Sequence, residues 1–202
     1  MEELFGRISG FLVFISVLPY AWRIYQRKTT PNLMTWVIWS FLGLALLLTY
    51  KSQGAGENIW PAIFGFTNPV IVTICILWRA DFSKKISFID IACFVVAGIS
   101  FTIWLFVKEN KIYSAYANYV AIFADFCAVI PSLLYYWKSP QNDRPLAWVL
   151  FGIGYGIGIL AIKDGKVSDY VLPIYMSVMT IIIAVPLILY RIKIKSPLKE
   201  WI

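Results

Sequence analysis

Hydrophobic residues occur along this chain in seven long runs that are nearly free of charged side chains. The runs cover residues 8–25, 32–50, 58–78, 88–107, 113–137, 145–162 and 170–190. Each is close to the length of about 20 residues that an α-helix needs to cross the hydrocarbon core of a bilayer. Short polar segments separate the runs and leave no room for a soluble domain. The pattern predicts one all-α integral membrane domain over residues 1–202, with seven transmembrane helices.

The chain also matches itself when it is shifted by 112 residues. Residues 11–79 aligned with 123–191 give 13 identities without a gap. Apolar identities are weak signals in such a biased chain, so the rarer residue types matter most. Those pairs are Pro19/Pro131, Trp36/Trp148, Lys51/Lys163, Pro61/Pro173 and Arg79/Arg191. The alternative is chance similarity between two hydrophobic stretches; we interpret the match as an internal repeat.

The repeat accounts for the number of runs. A unit of three helices ends on the opposite face of the membrane from its start, so two units lie parallel only if one further crossing separates them. We therefore predict a first three-helix repeat over residues 8–79, a linker helix over 86–108 and a second repeat over 113–192. Transporters built from parallel repeats bind solute between the repeats, near the middle of the membrane.

Composition and charge support a membrane protein. The chain is 60% hydrophobic and 14% charged, with a mean hydropathy of +0.73, whereas a soluble domain carries about 25% charged residues. A net charge of +7 would favour nucleic-acid binding in a soluble protein. Here the basic residues cluster in short loops between apolar runs, so the expected partners are the lipid bilayer and a small solute, not nucleic acid. The sequence leaves homo-oligomerisation open.

The basic residues also predict the topology. Twelve of the 18 Lys and Arg residues lie in the loops after the first, third and fifth runs or in the C-terminal tail. The positive-inside rule places that side in the cytoplasm, with the N-terminus outside. The N-terminal segment lacks the basic start and the cleavage site of a signal peptide, so we expect the first run to remain as a helix.

Asp125 is the sharpest chemical signal in the chain, because it lies in the middle of the fifth run. A charged carboxylate at that depth costs several kcal/mol or more, so it normally faces the interior of the bundle. The fifth run holds no Lys or Arg to neutralise it, and the one basic residue within any run is Arg23, near the end of the first. Asp125 is therefore a candidate for binding solute or carrying a proton. The alternative is a neutral carboxyl group that serves helix packing.

Two segments carry a family resemblance. VLPYAWRIYQRKTTP at 17–31 and VIPSLLYYWKSPQNDRP at 129–145 each place a proline near the end of a run, before a basic loop. This organisation resembles the PQ-loop and SWEET (MtN3-type) superfamily of small membrane transporters, in which a Pro-Gln pair opens the loop. Tyr20 and Ser132 replace the glutamine here. The resemblance implies the 3+1+3 fold and transport by alternating access.

A second pattern is similar to bacterial PQ-loop-like membrane proteins whose second helix carries Ser/Thr-Trp-x-x-Trp. Thr35, Trp36 and Trp39 match it. This resemblance implies a prokaryotic plasma (inner) membrane.

Further polar residues within the runs are candidates for binding. Asn68 and Thr180 occupy matching positions in the third and seventh runs, and the resemblance implies a substrate-contacting Asn on these helices. A buried amide needs hydrogen-bonding partners, so interhelical bonding is the alternative. Tyr175 and Asn118 are lesser candidates for lining a cavity.

Pro19, Pro131, Trp36 and Trp148 are candidates for gating. Proline removes a backbone hydrogen bond and kinks a helix, and the resemblance implies that Pro19 and Pro131 act as hinges. A static kink is the alternative. Trp36 and Trp148 lie near the predicted cytoplasmic ends of their helices with Trp39. An interfacial belt explains such residues in many membrane proteins, while the repeat match of Trp36 and Trp148 favours a gate.

Other classes of function find little support in the sequence. The chain has no histidine, and its three cysteines form no metal-binding or disulfide pattern. No metal site, cofactor or enzyme activity is expected. We predict a transporter of a small polar solute such as a sugar, amino acid or vitamin, with proton coupling through Asp125 as an option. The alternative is a receptor or sorting protein on the same fold, which binds a ligand without moving it.

Overall fold

A computed structural model describes residues 1–28, 31–79, 88–163 and 165–201, with the backbone alone at residues 89 and 90. Every regular element in this part of the chain is helical. The long elements are α1 (Glu2–Tyr25), α2 (Leu33–Gln53), α3 (Trp60–Arg79), α4 (Phe88–Val107), α5 (Lys111–Lys138), α6 (Pro145–Gly158) and α7 (Val167–Lys193). Short 3-10 turns cover Glu57–Ile59, Pro140–Asn142, Ile159–Ala161 and Leu198–Glu200.

Five of these helices are long and apolar enough to cross a membrane: Glu2–Tyr25, Leu33–Gln53, Glu57–Arg79, Lys111–Lys138 and Val167–Lys193. Two further apolar helices, Ile91–Val107 and Pro145–Ala161, are shorter. The predicted all-helical membrane class is confirmed at this level. Positions 86 and 87, where the predicted linker helix begins, lie outside the described residues.

The outer surface of the bundle is apolar. Large hydrophobic side chains are exposed on several helices, among them Phe11 on α1, Trp78 on α3, Phe106 on α4 and Leu189 on α7. A water-soluble protein rarely exposes apolar patches of such extent. The surface therefore fits a protein surrounded by lipid.

Helix packing follows one scheme in both halves of the chain. In the first half α3 lies between α1 and α2, and in the second half α7 contacts both α5 and α6. The halves meet where α1 packs on α6 and where α2 packs on α5. α4 lies outside this group, against α5 and α2. Six helices therefore enclose the centre of the bundle.

Small residues allow α1 and α6 to approach closely. A Cβ atom placed on Gly154 would stand 2.6 Å from Val13 Cγ2 and 3.0 Å from the Val13 backbone nitrogen. Ser9 Oγ donates a hydrogen bond to the Gly154 carbonyl oxygen at 2.7 Å. Small residues at helix contacts permit such a close approach of two backbones.

We expect Gly154→Ala to destabilise the protein by about 1–3 kcal/mol, because the added methyl group overpacks the contact with α1. Thermal unfolding of the purified protein in detergent measures the change. Gly98→Ala on α4 is the matched control, since no atom lies within 4 Å of the added Cβ. That variant should keep or raise the melting temperature, because alanine favours helix over glycine by about 0.5–1 kcal/mol. Equal losses in both variants would contradict the prediction.

Candidate functional site

A cavity of about 120 Å³ lies at the centre of the bundle, lined by residues of α1, α2, α3, α5, α6 and α7. We call it the inner cavity. A water molecule needs roughly 10–15 Å³ of such space, so the cavity has room for a compact solute. The predicted site residues Asp125, Asn68, Thr180, Trp36 and Trp148 all line it.

Asp125 reaches the inner cavity from α5 and is 8% exposed. The Tyr175 hydroxyl donates a hydrogen bond to Asp125 Oδ2 at 2.7 Å, so two candidates from different helices meet here. The ion pairs found within the described residues, Arg7–Glu3 and Arg144–Glu200, involve neither of them. The carboxyl group is therefore held by a neutral partner and has no basic residue to balance its charge.

Asn68 and Thr180 face the same cavity from α3 and α7. Asn68 Nδ2 donates to the Val13 carbonyl oxygen at 2.6 Å, while its Oδ1 is buried and has no hydrogen-bonding partner. Thr180 Oγ1 donates to the Met176 carbonyl oxygen one turn earlier, at 2.7 Å. The Asn68 amide is thus fixed through its nitrogen and leaves an acceptor for a solute.

Five aromatic rings form a row across one end of the inner cavity, and we call it the aromatic row. Its members, in order of contact, are Tyr20, Trp36, Trp39, Trp148 and Tyr136. Neighbouring ring centroids lie 5.0, 5.2, 6.2 and 5.9 Å apart, the range of favourable aromatic pairs. The row joins α1, α2, α6 and α5, so the three tryptophans pack on one another between helices.

A second cavity of about 350 Å³, the vestibule, lies beyond the aromatic row. Tyr20, Trp36 and Trp39 line both cavities, which places the row between them. Pro131 also lines the vestibule, and Pro19 directly precedes Tyr20 within α1. The four predicted gating and hinge residues therefore lie in or beside the barrier between the two cavities.

Hydrogen bonds between helices lie beyond the other end of the inner cavity, about one turn of α2 past its lining residue Leu46. The Tyr50 hydroxyl donates to the Asp169 carbonyl oxygen at 2.6 Å, and Gln53 Nε2 donates to the Ser168 carbonyl oxygen at 3.2 Å. Asn58 Nδ2 also bonds the Tyr50 hydroxyl. These contacts tie the end of α2 to the start of α7. Aromatic rings therefore lie at one end of the cavity, and interhelical hydrogen bonds lie beyond the other.

Asn118, predicted as a lesser candidate for lining a cavity, lies elsewhere. It is fully buried between α5 and α2, where its Nδ2 donates to Thr49 Oγ1 at 2.8 Å and to the Leu46 carbonyl oxygen at 3.3 Å. It is not among the residues that line the inner cavity or the vestibule. The amide joins two helices, and we correct the prediction accordingly.

A network that sequence reasoning missed holds one end of the aromatic row. Trp148 Nε1 donates to Asp143 Oδ2 at 3.0 Å. Arg191, 1% exposed, donates to the carbonyl oxygens of Asp143 at 2.6 Å, Glu200 at 3.0 Å and Pro140 at 3.3 Å. We call Arg191 and the three carbonyl groups that it binds the arginine clamp. The only hint in the sequence was the repeat match of Arg191 with Arg79.

Asp143 lies in the turn before α6, where burial raises the pKa of its carboxyl group. Hydrogen bonds from Trp148, the Arg144 backbone and Tyr136, together with the Arg23 charge, oppose that rise. The hydrogen bond from Trp148 is the largest of these opposing effects on the Asp143 pKa. The Asp143 carboxyl group and the gating candidate Trp148 are therefore joined directly by a hydrogen bond.

We expect Trp148→Ala to open the inner cavity toward the vestibule. The substitution removes ring contacts with Trp39 and Tyr136, each worth about 0.5–1.5 kcal/mol. Ser16→Cys, in a background without the native cysteines, places a thiol on the cavity wall. Its reaction with a water-soluble thiol reagent should become about tenfold faster, as expected for a loss of about 1.4 kcal/mol.

The control for this measurement is Trp137→Ala, which removes an exposed tryptophan near the end of α5 and outside the aromatic row. It should leave the labelling rate of Ser16→Cys unchanged. Equal rates in the Trp148→Ala variant and its parent would show that the aromatic row does not limit access.

Comparisons of the chain with models of protein families, with curated proteins and with solved structures gave no match. Among the described residues, no group of three or more His, Cys, Asp or Glu side chains is arranged to hold a metal ion.

Proposed function

We propose that this chain is a transporter of a small polar solute, which works by alternating access between two parallel three-helix repeats. The observation that carries the proposal is the inner cavity, which lies between the two halves, with the aromatic row at one end and the hydrogen bonds between α2 and α7 beyond the other. A cavity enclosed by helices, mostly apolar and with a few polar groups, is typical of a solute site.

The pattern of helix contacts supports the repeat. If α1, α2 and α3 are exchanged with α5, α6 and α7, the contact of α1 with α6 becomes the contact of α5 with α2. The contact of α3 with α6 likewise becomes that of α7 with α2. Both members of each pair are present, as a two-fold axis along the membrane normal requires. In this 3+1+3 arrangement α4 serves as the linker.

We further propose that the vestibule faces the cytoplasm. It lies where α1 and α5 end and where α2 and α6 begin, and the basic residues are concentrated on that side. The positive-inside rule then places the N-terminus outside. In this orientation the aromatic row is the cytoplasmic barrier, and the Tyr50 hydrogen bonds form the outer one.

Uptake by the purified protein in liposomes tests the proposal. Radiolabelled sugars, amino acids, amines and vitamins are offered, with protein-free liposomes as the control. We expect saturable uptake of at least one solute, and faster uptake when the same solute is preloaded inside, because alternating access exchanges solute across the membrane. Saturable binding without uptake would overturn transport and favour the receptor alternative.

A further inference from the structure

Each cavity is lined by one acidic side chain and no basic one among the described lining residues, although the chain as a whole is basic. The sequence has 18 Lys and Arg residues against 11 Asp and Glu residues. The charged side chains among the described lining residues are Asp125 in the inner cavity and Asp143 in the vestibule, and no Lys or Arg is among them. A path for an anionic solute would need the opposite charge. The lining therefore favours a neutral or cationic solute.

The surroundings of Asp125 favour a cation over a neutral solute. Tyr175, which donates a hydrogen bond to it, carries no charge, and the ion pairs within the described part of the chain lie elsewhere. A buried carboxylate is costly unless a positive charge accompanies it. A cationic solute supplies that charge at the moment of binding, whereas a neutral solute leaves it unbalanced.

The rest of the wall favours an organic cation over a metal ion. Trp36, Trp39, Trp148 and Phe151 surround the same space, and aromatic faces attract ammonium groups. Hard metal cations instead prefer a shell of oxygen ligands. The walls of the inner cavity are mainly apolar and aromatic, with few oxygens.

Two unpaired polar atoms define what else the solute carries. Trp39 Nε1 is a buried donor without a hydrogen-bonding partner, and Asn68 Oδ1 is a buried acceptor without one. Both residues line the inner cavity. A hydroxyl group can satisfy both, since it accepts one hydrogen bond and donates another.

We propose that the inner cavity binds a compact organic cation that carries an ammonium group next to a hydroxyl or similar polar group. The ammonium group lies against Asp125 and the tryptophan faces, and the polar group lies between Trp39 and Asn68. That this cation is a transported substrate rests on the proposed function. Its binding to the inner cavity is tested without transport.

The test uses pairs of probes that differ only in charge. Choline is compared with 3,3-dimethylbutan-1-ol, and ethanolamine with propan-1-ol, by calorimetry on the full chain in detergent. We expect the cation of a pair to bind at least about 30-fold more tightly than its neutral partner, the size of effect seen when one member of a buried charge pair is lost. Asp125→Asn should remove this preference, and Asp125→Glu should retain part of it. Glu3→Gln, an exposed carboxylate on α1, is the control and should change nothing.

The outcomes separate this inference from the proposed function. Equal affinity for cations and neutral partners, a preference that survives in Asp125→Asn, or displacement of choline by sodium ions would overturn the organic cation. Saturable uptake of a neutral solute alone would overturn it and leave transport standing. Cation-selective binding that depends on Asp125, without uptake into liposomes, would support the site and overturn transport.

Discussion

Asp125→Asn should reduce solute uptake by about 100-fold, which corresponds to about 3 kcal/mol. The reason is that the carboxylate is the one charged side chain that lines the inner cavity within the described residues. The fold should survive, because an asparagine oxygen can still accept the hydrogen bond that the Tyr175 hydroxyl donates at 2.7 Å. Initial rates of uptake into liposomes measure the effect, and melting temperature confirms folding.

Tyr175→Phe completes the test. It removes the donor to Asp125 while keeping the ring, so we expect a smaller loss of uptake of about tenfold, as for a charge-assisted hydrogen bond of about 1.5 kcal/mol. In the double variant the two losses should not add, because the hydroxyl acts through the carboxylate. Full uptake by Asp125→Asn would show that Asp125 is a packing residue, and additive losses would show that the Tyr175 hydroxyl does not act through it.

Arg191→Met should have the largest effect on stability. The substitution leaves the carbonyl oxygens of Pro140, Asp143 and Glu200 without their shared donor, and a buried acceptor without a partner costs about 1–3 kcal/mol. We expect a total loss of about 3 kcal/mol, or about 6–12 °C in melting temperature for a chain of this size. Thermal unfolding in detergent measures the loss, and Arg191→Lys should recover only part of it, because lysine lacks the planar fork.

The chain contains its own control at the matching position of the first repeat. Arg79 is half-buried and stacks on the Tyr25 ring, with its guanidinium carbon 4.4 Å from the ring centroid. Loss of such a contact should cost about 0.5–1 kcal/mol. If Arg79→Met and Arg191→Met lower the melting temperature equally, the arginine clamp adds nothing beyond a general effect of a basic residue at a helix end.

Much of the fold follows from the hydrophobic runs, because a helix that crosses lipid must satisfy its own backbone hydrogen bonds over about 20 residues. This requirement can be recognised in the linear sequence as a long apolar run, and five of the seven runs form long apolar helices. The sixth run is the clearest exception. Its α-helix begins at Pro145 and ends at Gly158, and a 3-10 turn continues it to Ala161. Glycine is a poor helix former, and four of them fall within that run.

The polar site residues were predictable for a different reason. Asp125, Asn68 and Thr180 are polar groups within apolar runs, and such groups avoid lipid. Depth along the helix was not predictable in the same way. Asn118 stands seven residues before Asp125, which places it on nearly the same face but about 10 Å further along the axis. Asn118 therefore lies at the depth of Thr49 on α2, to which it donates a hydrogen bond, and not at the depth of the cavity.

The aromatic row and the arginine clamp were beyond sequence reasoning. Tryptophans near helix ends are equally consistent with a lipid-facing belt, and only the neighbouring helices decide which way each ring points. Tyr136 and Asp143 gain their importance from Trp148, and Arg191 from the turn that precedes α6. Partners 48 residues apart, such as Arg191 and Asp143, leave no local pattern in the chain.

The two halves of the bundle share a packing scheme but not a charge. Val13 occupies the position in α1 that Asp125 occupies in α5. The negative charge of the central chamber therefore lies on the side of the second half alone. A ligand with one charged end must then bind in a single orientation inside the chamber. In the proposed cycle, such a molecule enters head-first through one mouth and tail-first through the other, and the half-saturating concentrations on the two sides of the membrane should differ.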